Sequence, residues 1–298
     1  MIDTGLKGKT AIITGANNPY GIGAAIARLL ASQGVNIFLH YYSHDVNFPI
    51  SESPNSQNTT GLYFYFEQQK KNADEVIKSV QEFGVQVASI EGDLSKLDLV
   101  KDMFSNAEKK FGEINILVNN AADYMADTFL PEEVLKDEQP LWENGPIKST
   151  ISKESFERHF SVNCRAVSIS MAEFSKRLIV NNKNWGRIVI ISADCACGCP
   201  GEVSYRASKY ALESYSRSAA AELGKYNITV NVVSPGPIQT GYISPEGEKA
   251  IIPEIPLRRV GKPEDIANAV LFFVSEQADW ITGQLLFVHG GHRMALGQ

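Results

Sequence analysis

The sequence predicts an α/β fold in which about seven parallel strands form one doubly wound sheet with helices on both faces. Strand-like apolar runs alternate with helical patterns along nearly the whole chain of 298 residues. These strands are almost continuously apolar, as expected when both faces of a parallel sheet are covered. A glycine-rich turn joins the first strand to the first helix, which is typical of such sheets. No repeat or linker divides the chain, so we expect a single domain over residues 1–298.

Each predicted strand is a short run of apolar and β-branched residues. In chain order the strands are 10–14 (TAIIT), 35–41 (VNIFLHY), 86–91 (QVASIE), 114–118 (INILV), 186–192 (GRIVIIS), 229–234 (TVNVVS) and 285–288 (LLFV). Each predicted helix shows apolar residues that recur every three or four positions. The helices are 21–33, 73–83, 97–111, 153–180, 203–225 and 263–275.

Two segments interrupt this alternation. Residues 44–69 are rich in Ser, Asn, Pro and aromatic residues, and residues 123–151 carry three prolines and several acids. Both are longer than a simple connection needs, and long connections are usually functional or mobile. Surface insertions without a function are an equally open explanation.

Composition and charge exclude several classes of function. With 44% apolar and 21% charged residues, the composition is that of an ordinary soluble globular protein. The net charge of −6 and the lack of Lys/Arg-rich blocks argue against binding to nucleic acid or to an anionic membrane. No apolar run is long enough to span a bilayer, and the N-terminus lacks a secretory h-region. We therefore expect a cytoplasmic enzyme.

The four cysteines do not form a recognisable metal site. Cys195, Cys197 and Cys199 form a Cys-x-Cys-x-Cys run, and Cys164 lies upstream of it. No further cluster of Cys or His completes a zinc spacing. We expect no metal, and we interpret the run as small side chains near a substrate pocket.

The most informative pair is Tyr205 and Lys209, four residues apart in a predicted helix. Residues at i and i+4 share one helix face, so the ammonium can lie beside the phenol. A positive charge favours the phenolate and lowers the phenol pKa from about 10, which suits acid–base chemistry. Ser192 lies thirteen residues upstream of the tyrosine. Because packing alone often places a tyrosine one turn from a lysine, the pair needs support from other motifs.

The glycine-rich turn supplies such support. Residues 14–23, TGANNPYGIG, follow the first strand and open the first helix. Glycines permit a tight turn and a close approach of the backbone to pyrophosphate, which the free N–H groups of a helix N-terminus bind. This unit predicts a Rossmann-type dinucleotide site, with an ordinary glycine-containing loop as the alternative.

Together these motifs resemble those of the short-chain dehydrogenase/reductase family, from residue 14 to residue 291. Further matches are Asp93-Leu94 after the third strand, Asn119-Asn120-Ala121-Ala122 after the fourth, Asn163 on the central helix and 235–240 (PGPIQT) after the sixth. Most of these motifs fall at the carboxyl ends of strands, where parallel sheets bind ligands. The general pattern is similar to that of 3-oxoacyl-carrier-protein reductases.

The resemblance implies hydride transfer between a nicotinamide and a carbonyl or alcohol carbon. It implies that Tyr205 handles the proton, while Lys209 lowers the pKa of Tyr205 and binds the nicotinamide ribose. Ser192 would hold the substrate oxygen, and Asn163 would support a water that links Lys209 to solvent. The implied cofactor-binding residues are Gly15, Asn17, Gly21, Ile22, Gly23, Tyr42, Ser43, Asp93, Leu94, Asn119, Ala121, Tyr205, Lys209, Pro235, Gly236, Ile238 and Thr240.

The turn departs from the family's main subtype, which has three residues between the first and second glycines. Here five residues separate Gly15 from Gly21. The longer turn resembles that of divergent bacterial enoyl reductases, in which six residues separate the tyrosine from the lysine. The three residues between Tyr205 and Lys209 therefore favour carbonyl reduction over enoyl reduction.

The resemblance also bears on cofactor, substrate and assembly. NAD-binding members usually carry an acid at the end of the second strand, and residues 39–43 (LHYYS) have none, so NADP(H) is favoured over NAD(H). Residues 242–259 offer an apolar lid, which suits a moderately apolar carbonyl, with a 3-oxoacyl thioester as one candidate. Pairing through the two long central helices is expected to give a homotetramer, with a dimer as the alternative.

Two competing hypotheses are an enoyl-thioester reductase and a cofactor-binding regulator that has lost catalysis. Regulators of this kind typically lose the tyrosine or the lysine, whereas this chain keeps both, together with Asn163 and Ser192. We therefore predict an NADP(H)-dependent enzyme that acts on a small carbonyl or alcohol.

Overall fold

A parallel sheet of seven strands forms the centre of the computed structural model, which describes residues 3–43, 60–135 and 148–293. Its strands are β1 Thr10–Thr14, β2 Asn36–Tyr41, β3 Val87–Glu91, β4 Ile116–Asn119, β7 Gly186–Ile191, β8 Ile228–Pro235 and β9 Leu285–Val288. Their spatial order is β3-β2-β1-β4-β7-β8-β9, and every neighbouring pair is parallel. The predicted seven-stranded α/β sheet is confirmed.

The strand order reverses beside β1. The chain first builds the sheet outward from β1 to β3 and then returns to place β4 on the other side of β1. Ile12 thus lies opposite Phe38 on one side and opposite Leu117 on the other. At such a switch point a crevice opens outside the carboxyl ends of the strands, and ligands of open parallel sheets bind there. This edge carries the predicted site.

Helices cover both faces of the sheet. They are α1 Ile22–Ser32, α2 Leu62–Gln69, α3 Asp74–Gln81, α4 Leu97–Phe111, α5 Glu132–Leu135, α6 Lys153–His159, α7 Val167–Val180, α8 Val203–Leu223, α9 Pro245–Ile251 and α10 Pro263–Val274, with short 3₁₀ turns at Gly224–Tyr226, Ile252–Glu254 and Glu276–Ala278. One face packs on α1, α3 and α10 through side chains such as Ile26 and Val270. The other face packs on α4, α7 and α8 through side chains such as Phe104 and Leu212.

The pleat of the strands separates these two apolar cores. In β1, Ile13 belongs to the core under α1, whereas Ile12 belongs to the core under α4. Side chains of a strand point alternately to opposite faces, so a sheet buried on both faces needs a nearly continuous apolar run. Complete burial of one such side chain contributes about 1.5–3 kcal/mol to the free energy of unfolding. This requirement is why the strands were readable from the sequence.

The predicted helix 153–180 is not α-helical throughout. Between α6 and α7, Phe160–Ala166 form a π-helical segment. A π-helix closes i→i+5 hydrogen bonds, and such segments occur frequently at functional sites. Over seven residues the apolar spacing of the two helix types is too similar for the sequence to reveal the change. Asn163 lies within this segment and is completely buried.

The first interrupting segment contains a helix that the sequence did not predict. Its described residues, 60–69, form α2, and residues 44–59 lie outside the described part of the chain. The N–H of Gly61 donates to the carbonyl of Gly241 at 2.8 Å, which ties the start of α2 to the loop after β8. The segment therefore reaches the carboxyl edge of the sheet rather than a remote surface.

The second interrupting segment supports α8. Within it, β5 Asp127–Thr128 and β6 Ser149–Thr150 pair in parallel, and residues 136–147 lie outside the described part of the chain. Asp127 is fully buried, and its Oδ1 accepts a hydrogen bond of 2.8 Å from the N–H of Ser204, in the first turn of α8. A carboxylate at this position satisfies a free N–H group and complements the helix dipole. Among the described helices, none is long and apolar enough to cross a membrane.

Candidate active site

The glycine-rich turn approaches the end of β4 so closely that side chains are excluded. Gly15 has φ +68°, and a Cβ placed on it would lie 2.7 Å from Cα of Ala121. A Cβ on Gly23 would lie 2.6 Å from the carbonyl oxygen of Gly15. The side chain of Asn120 donates to the carbonyls of Thr14 and Gly15, both at 2.9 Å. Asn120 was not among the predicted site residues, although it belongs to the quoted Asn119–Ala122 motif.

The two additional residues of the turn connect it to its surroundings. Asn17 Nδ2 donates to the carbonyls of Gln69 and Lys71 at 2.8 and 2.9 Å, which anchors the end of α2. Asn18 Nδ2 donates to the carbonyl of Thr240 at 3.2 Å, in the loop after β8. Asn17 thus supports the site through the α2 segment. The role of Asn18 was missed because its partner is 222 residues away.

The N-terminus of α1 suits a pyrophosphate. Gly21 is its N-cap, no side chain caps the helix, and its first turn contains no acidic residue. Ile22 and Gly23 are the first two residues of the helix. Free N–H groups and the positive end of the helix dipole therefore face the crevice.

The predicted adenosine end contains a buried group that has no hydrogen-bond partner among the described residues. The side chain of Asn119 is 2% exposed, and its Nδ2 makes no hydrogen bond to the described residues. Asp93 accepts hydrogen bonds from the N–H and hydroxyl of Ser95, at 2.8 and 2.7 Å, and this fixes the turn that carries the buried Leu94. Because buried polar groups are normally satisfied, the amide of Asn119 fits a bound ligand such as a dinucleotide ribose.

An acidic side chain from β3 lies beside the end of β2, where the sequence of β2 itself has no acid. The hydroxyl of Ser43 donates to Oε1 of Glu91, the last residue of β3. Tyr42, beside it, is 42% exposed. Because β2 and β3 are adjacent and parallel, with Tyr41 opposite Glu91, a carboxylate from β3 lies beside the end of β2. The cofactor expectation based on residues 39–43 alone did not include this charge.

The loop after β8 closes the other side of the crevice. A Cβ on Gly236 would lie 2.5 Å from Cβ of His289, so the loop packs directly on the segment after β9. Ile238 is buried and forms an isolated parallel bridge with Gly261. The carbonyl of Ile238 accepts a hydrogen bond of 3.0 Å from the N–H of Thr240. Pro235 ends β8 at this edge, so the predicted nicotinamide-end residues lie together there.

Asn163 connects the segment after β4 to α8. Its Oδ1 accepts from the N–H of Asp123 at 2.8 Å, and its Nδ2 donates to the carbonyl of Asp123 at 2.9 Å and to the hydroxyl of Ser208 at 3.0 Å. Ser208 directly precedes Lys209, so Asn163 reaches the proposed proton-handling helix through this hydroxyl. The predicted water relay through Asn163 stays a prediction.

Tyr205 and Lys209 share one face of α8, as predicted. Nζ of Lys209 lies 5.7 Å from the centre of the Tyr205 ring and donates to the carbonyl of Ile191 at 2.9 Å. Burial and, to a smaller extent, the charge of Arg206 lower the pKa of Lys209 to about 8, against the opposing charge of Glu213. In the part of the chain that the structure describes, the Tyr205 hydroxyl makes no hydrogen bond, so it is available to a substrate.

The expected lowering of the Tyr205 pKa is not observed. Burial raises the pKa of Tyr205 to about 12, and the charge of Arg206 only partly offsets this. Removing a phenol from water disfavours its charged form, and at this site the effect outweighs the nearby cations. Tyr205 is therefore a protonated phenol near neutrality, which suits proton donation.

Ser192 does not join Tyr205 in this structure. Its hydroxyl donates to Oε1 of Glu213 at 2.6 Å, and both side chains are buried. Ser192 follows Ile188 and Ile190 on the face of β7 that packs on α7 and α8, where Glu213 lies. Burial raises the pKa of the Glu213 carboxyl, and the hydrogen bond from Ser192 opposes this. The predicted contact of Ser192 with a substrate oxygen would require its release from Glu213.

Three further tyrosines surround Tyr205, and we call Tyr65, Tyr124 and Tyr242 the tyrosine wall. The ring of Tyr124 lies edge-on to that of Tyr205 at a centroid distance of 5.0 Å. Tyr242 lies edge-on to Tyr124 at 6.1 Å and to Tyr65 at 5.3 Å. These residues come from α2, the segment after β4 and the loop after β8. The wall lines the surroundings of Tyr205 with aromatic rings, an arrangement that sequence patterns could not predict.

The cysteine run lies beside Arg293. Nη1 of Arg293 is 3.3 Å from Sγ of Cys199, and Cys195 has a left-handed backbone with φ +55°. Among the described residues, no group of three or more His, Cys, Asp or Glu side chains is arranged to hold a metal ion. The three cysteines of the run lie in the loop between β7 and α8.

Comparisons with known proteins agree with this geometry. A family model described as enoyl-(acyl carrier protein) reductase matches residues 55–293. The chain is 30% identical over 284 residues to the uncharacterized oxidoreductase YjdA of Bacillus subtilis, covering 95% of this chain and 96% of that protein. It is 30% identical over 293 residues to a short-chain type dehydrogenase/reductase of Picea abies, covering 96% and 93%. The fold is similar to that of acetoin dehydrogenase YohF from Salmonella typhimurium, with a TM-score of 0.73, 27% identity and 96% of each chain covered.

Proposed function

The chain belongs to the short-chain dehydrogenase/reductase family, and from this premise we propose that Tyr205 exchanges the proton that accompanies hydride transfer at a carbonyl or secondary alcohol carbon. The protein is an NAD(P)-dependent oxidoreductase that acts on CH–OH and C=O groups. The observation that carries the proposed role is the Tyr205 hydroxyl, which makes no hydrogen bond to the described residues and lies at the ligand-binding edge of the sheet.

Each proposed step uses a group of this chain. When bound, the nicotinamide supplies or accepts the hydride. Tyr205 donates its proton to the carbonyl oxygen during reduction and accepts a proton from the alcohol during oxidation. Lys209, held by the carbonyl of Ile191, binds the nicotinamide ribose. Asn163 fixes the position of α8 relative to the segment after β4, because its amide donates hydrogen bonds to both.

We propose that the crevice binds the dinucleotide along its whole length. Gly15, Asn17, Gly21, Ile22 and Gly23 form the pyrophosphate end. The adenosine end consists of Tyr42, Ser43, Asp93, Leu94, Asn119 and Ala121, and the nicotinamide end of Pro235, Gly236, Ile238 and Thr240. The orphaned amide of Asn119 and the side-chain-free approach of Gly15 to Ala121 support this assignment.

For the cofactor we propose a preference for NADP(H) over NAD(H), and we propose that the charge of Glu91 makes this preference smaller. The strand β2 itself ends without an acid, which admits a 2′-phosphate, and Ser43 can donate a hydrogen bond to it. The carboxylate of Glu91 already accepts the hydroxyl of Ser43 and repels a phosphate at this position. We expect kcat/KM to be at least severalfold higher with NADPH than with NADH; an equal or reversed ratio contradicts the preference.

Replacing Glu91 by glutamine is expected to raise the ratio of kcat/KM for NADPH over NADH by about 3- to 10-fold. Two charges about 6 Å apart in water interact by roughly 0.7 kcal/mol, and the phosphate carries nearly two charges. Steady-state kinetics with both cofactors measure the ratio. Glu82→Gln, an exposed acid at the end of α3, is the matched control and should leave the ratio unchanged. An unchanged ratio in the Glu91 variant removes Glu91 from cofactor selection.

For the substrate we propose a ketone or secondary alcohol with apolar neighbours, for which a 3-oxoacyl thioester is a candidate. The rings of the tyrosine wall around Tyr205 support an apolar substrate. A panel of carbonyls and alcohols, followed by nicotinamide absorbance with NADPH and NADH, tests the function. It includes acetoacetyl-CoA, acetoin, a cyclic aryl ketone and, for the enoyl reductase alternative, crotonyl-CoA. Turnover of the enoyl thioester alone, or no turnover at all, overturns the proposed reaction.

We propose that the protein assembles as a homotetramer. Exposed apolar side chains on the two central helices, among them Phe156, Ile169 and Tyr215, support a helix-mediated interface. Light scattering coupled to size exclusion measures the oligomeric state directly, and a monomer or a dimer contradicts the proposed tetramer.

A further inference from the structure

The groups expected to act on Tyr205 are held by other partners, and a cation that the sequence did not single out lies beside its ring. The hydroxyl of Ser192 is bound to Glu213, and the ammonium of Lys209 is bound to the carbonyl of Ile191. The guanidinium carbon of Arg206 lies 5.5 Å from the centre of the Tyr205 ring. This distance is within the range of a cation–π interaction.

Two carboxylates fix this guanidinium. Nε of Arg206 donates to Oε2 of Glu202 at 2.6 Å, and Nη2 lies 2.5 Å from the same oxygen. Nη1 lies 3.3 Å from Oδ1 of Asp194 and also donates to the backbone carbonyl of that residue. Arg206 is only 9% exposed. A planar fork bound at both ends holds its orientation in a way that a flexible lysine cannot.

The same carboxylate also fixes the nearest ring of the tyrosine wall. The hydroxyl of Tyr124 donates to Oε1 of Glu202 at 2.8 Å, while Arg206 uses Oε2. The ring of Tyr124 lies edge-on to Tyr205. Glu202 therefore holds two neighbours of Tyr205, one on each of its oxygens. On the far side, Nδ1 of His292 lies 2.6 Å from Oδ2 of Asp194 and completes the network.

We propose that Arg206 is a positioning residue for the reaction: clamped by Glu202 and Asp194, its guanidinium holds the ring of Tyr205 and stabilises the phenolate left when the proton passes to the substrate. This inference rests on the proposed role of Tyr205. It gives Arg206 an electrostatic part in addition to the one that the helix spacing predicted for Lys209, whose Nζ lies 5.7 Å from the same ring.

The charges around Tyr205 determine how its ionisation responds to substitution. The titratable and charged groups that face it are Lys209 and Arg206 on α8, Glu202 at the N-cap of α8, Asp194 after β7, Tyr65 on α2, Tyr124 after β4, His159 on α6 and Tyr242 after β8. Burial raises the pKa of Tyr205, the charge of Arg206 lowers it, and Glu202 raises it. Removal of the guanidinium and removal of the carboxylate should therefore shift the pKa in opposite directions.

The test is the pH profile of kcat/KM for alcohol oxidation, in which Tyr205 acts as the base. In Arg206→Gln we expect the midpoint to move up by about one unit or more, because an adjacent opposite charge shifts a pKa by that amount. At pH 8 we expect kcat to fall at least about tenfold, with KM changed less than about threefold. In Glu202→Gln we expect the midpoint to move down. Arg217→Met, an exposed arginine on the same helix, should leave the profile unchanged.

Each result decides the proposal. Unchanged midpoints in both folded variants, or shifts of the same sign, overturn it, because a purely structural role changes stability and not this ionisation. Arg206→Gln leaves buried acids unpaired; if it does not fold, the direction of the shift in Glu202→Gln decides, and an upward or absent shift overturns the proposal. Wild-type turnover that Tyr205→Phe does not reduce rejects the proposed function itself. Turnover that depends on Tyr205 with unmoved profiles rejects only the role of Arg206.

Discussion

Replacing Tyr205 by phenylalanine is expected to lower kcat for carbonyl reduction by about 10²- to 10⁴-fold, the usual contribution of a general acid. The variant lacks only the hydroxyl, and that hydroxyl makes no hydrogen bond to a described residue, so the fold should be little affected. The ring contacts with Tyr124 and the cation beside it persist in a phenylalanine. Steady-state rates with the best carbonyl of the panel measure the loss.

The matched control is Tyr210→Phe, on the same helix with its side chain 51% exposed. It removes a hydroxyl from α8 without touching the site, and its kcat should equal that of the wild type. Both variants should bind NAD(P)H with wild-type affinity, as measured by nucleotide fluorescence. If Tyr205→Phe retains full turnover, another group handles the proton. If the wild type itself turns over nothing and the variant binds cofactor identically, the regulator hypothesis gains.

Replacing Gly15 by alanine is expected to weaken NAD(P)H binding at least about tenfold, which corresponds to about 1.4 kcal/mol. The new Cβ would lie 2.7 Å from Cα and 3.1 Å from N of Ala121, so the turn must move away from the end of β4. The turn carries the free N–H groups at the start of α1, and their displacement removes the pyrophosphate contact. The φ of +68° adds a conformational cost of about 1–2 kcal/mol to folding.

Gly84→Ala separates these two effects. Gly84 has φ +74°, and a Cβ there would meet nothing within 4 Å. Both variants should lose about 1–2 kcal/mol in the free energy of unfolding, measured with urea. Only Gly15→Ala should lose cofactor affinity. Equal dissociation constants for wild type and Gly15→Ala would show that the turn does not contact the cofactor.

The sheet was predictable because its central strands are buried on both faces and therefore consist almost entirely of apolar residues. Runs such as TAIIT and GRIVIIS cannot be solvent-exposed on either face, and the helices between them impose parallel pairing. The sequence also identified the edge where the site lies, because the motifs follow directly after strands. It did not identify the π-helical segment at Asn163 or α2, since neither has a distinctive apolar period.

Contacts between segments that are distant along the chain could not be predicted from the sequence. Glu91 acts at the end of β2 because β3 pairs beside it, although 48 residues separate it from Ser43. The hydroxyl of Ser192 points to Glu213 because the pleat places it on the α8 face of β7. A spacing of thirteen residues cannot show which way a side chain points at the end of a strand.

The sequence by itself determined the α/β sheet, the family and the pairing of Tyr205 with Lys209 on one helix face, because these depend on periodicity and local spacing. The tertiary structure alone decided the environment of that pair. Burial raises the pKa of Tyr205 to about 12, and the cation clamped beside its ring is Arg206, held by carboxylates from α8 and from the loop after β7. Desolvation and charge contacts depend on which segments meet in space, and no pattern along the chain records that.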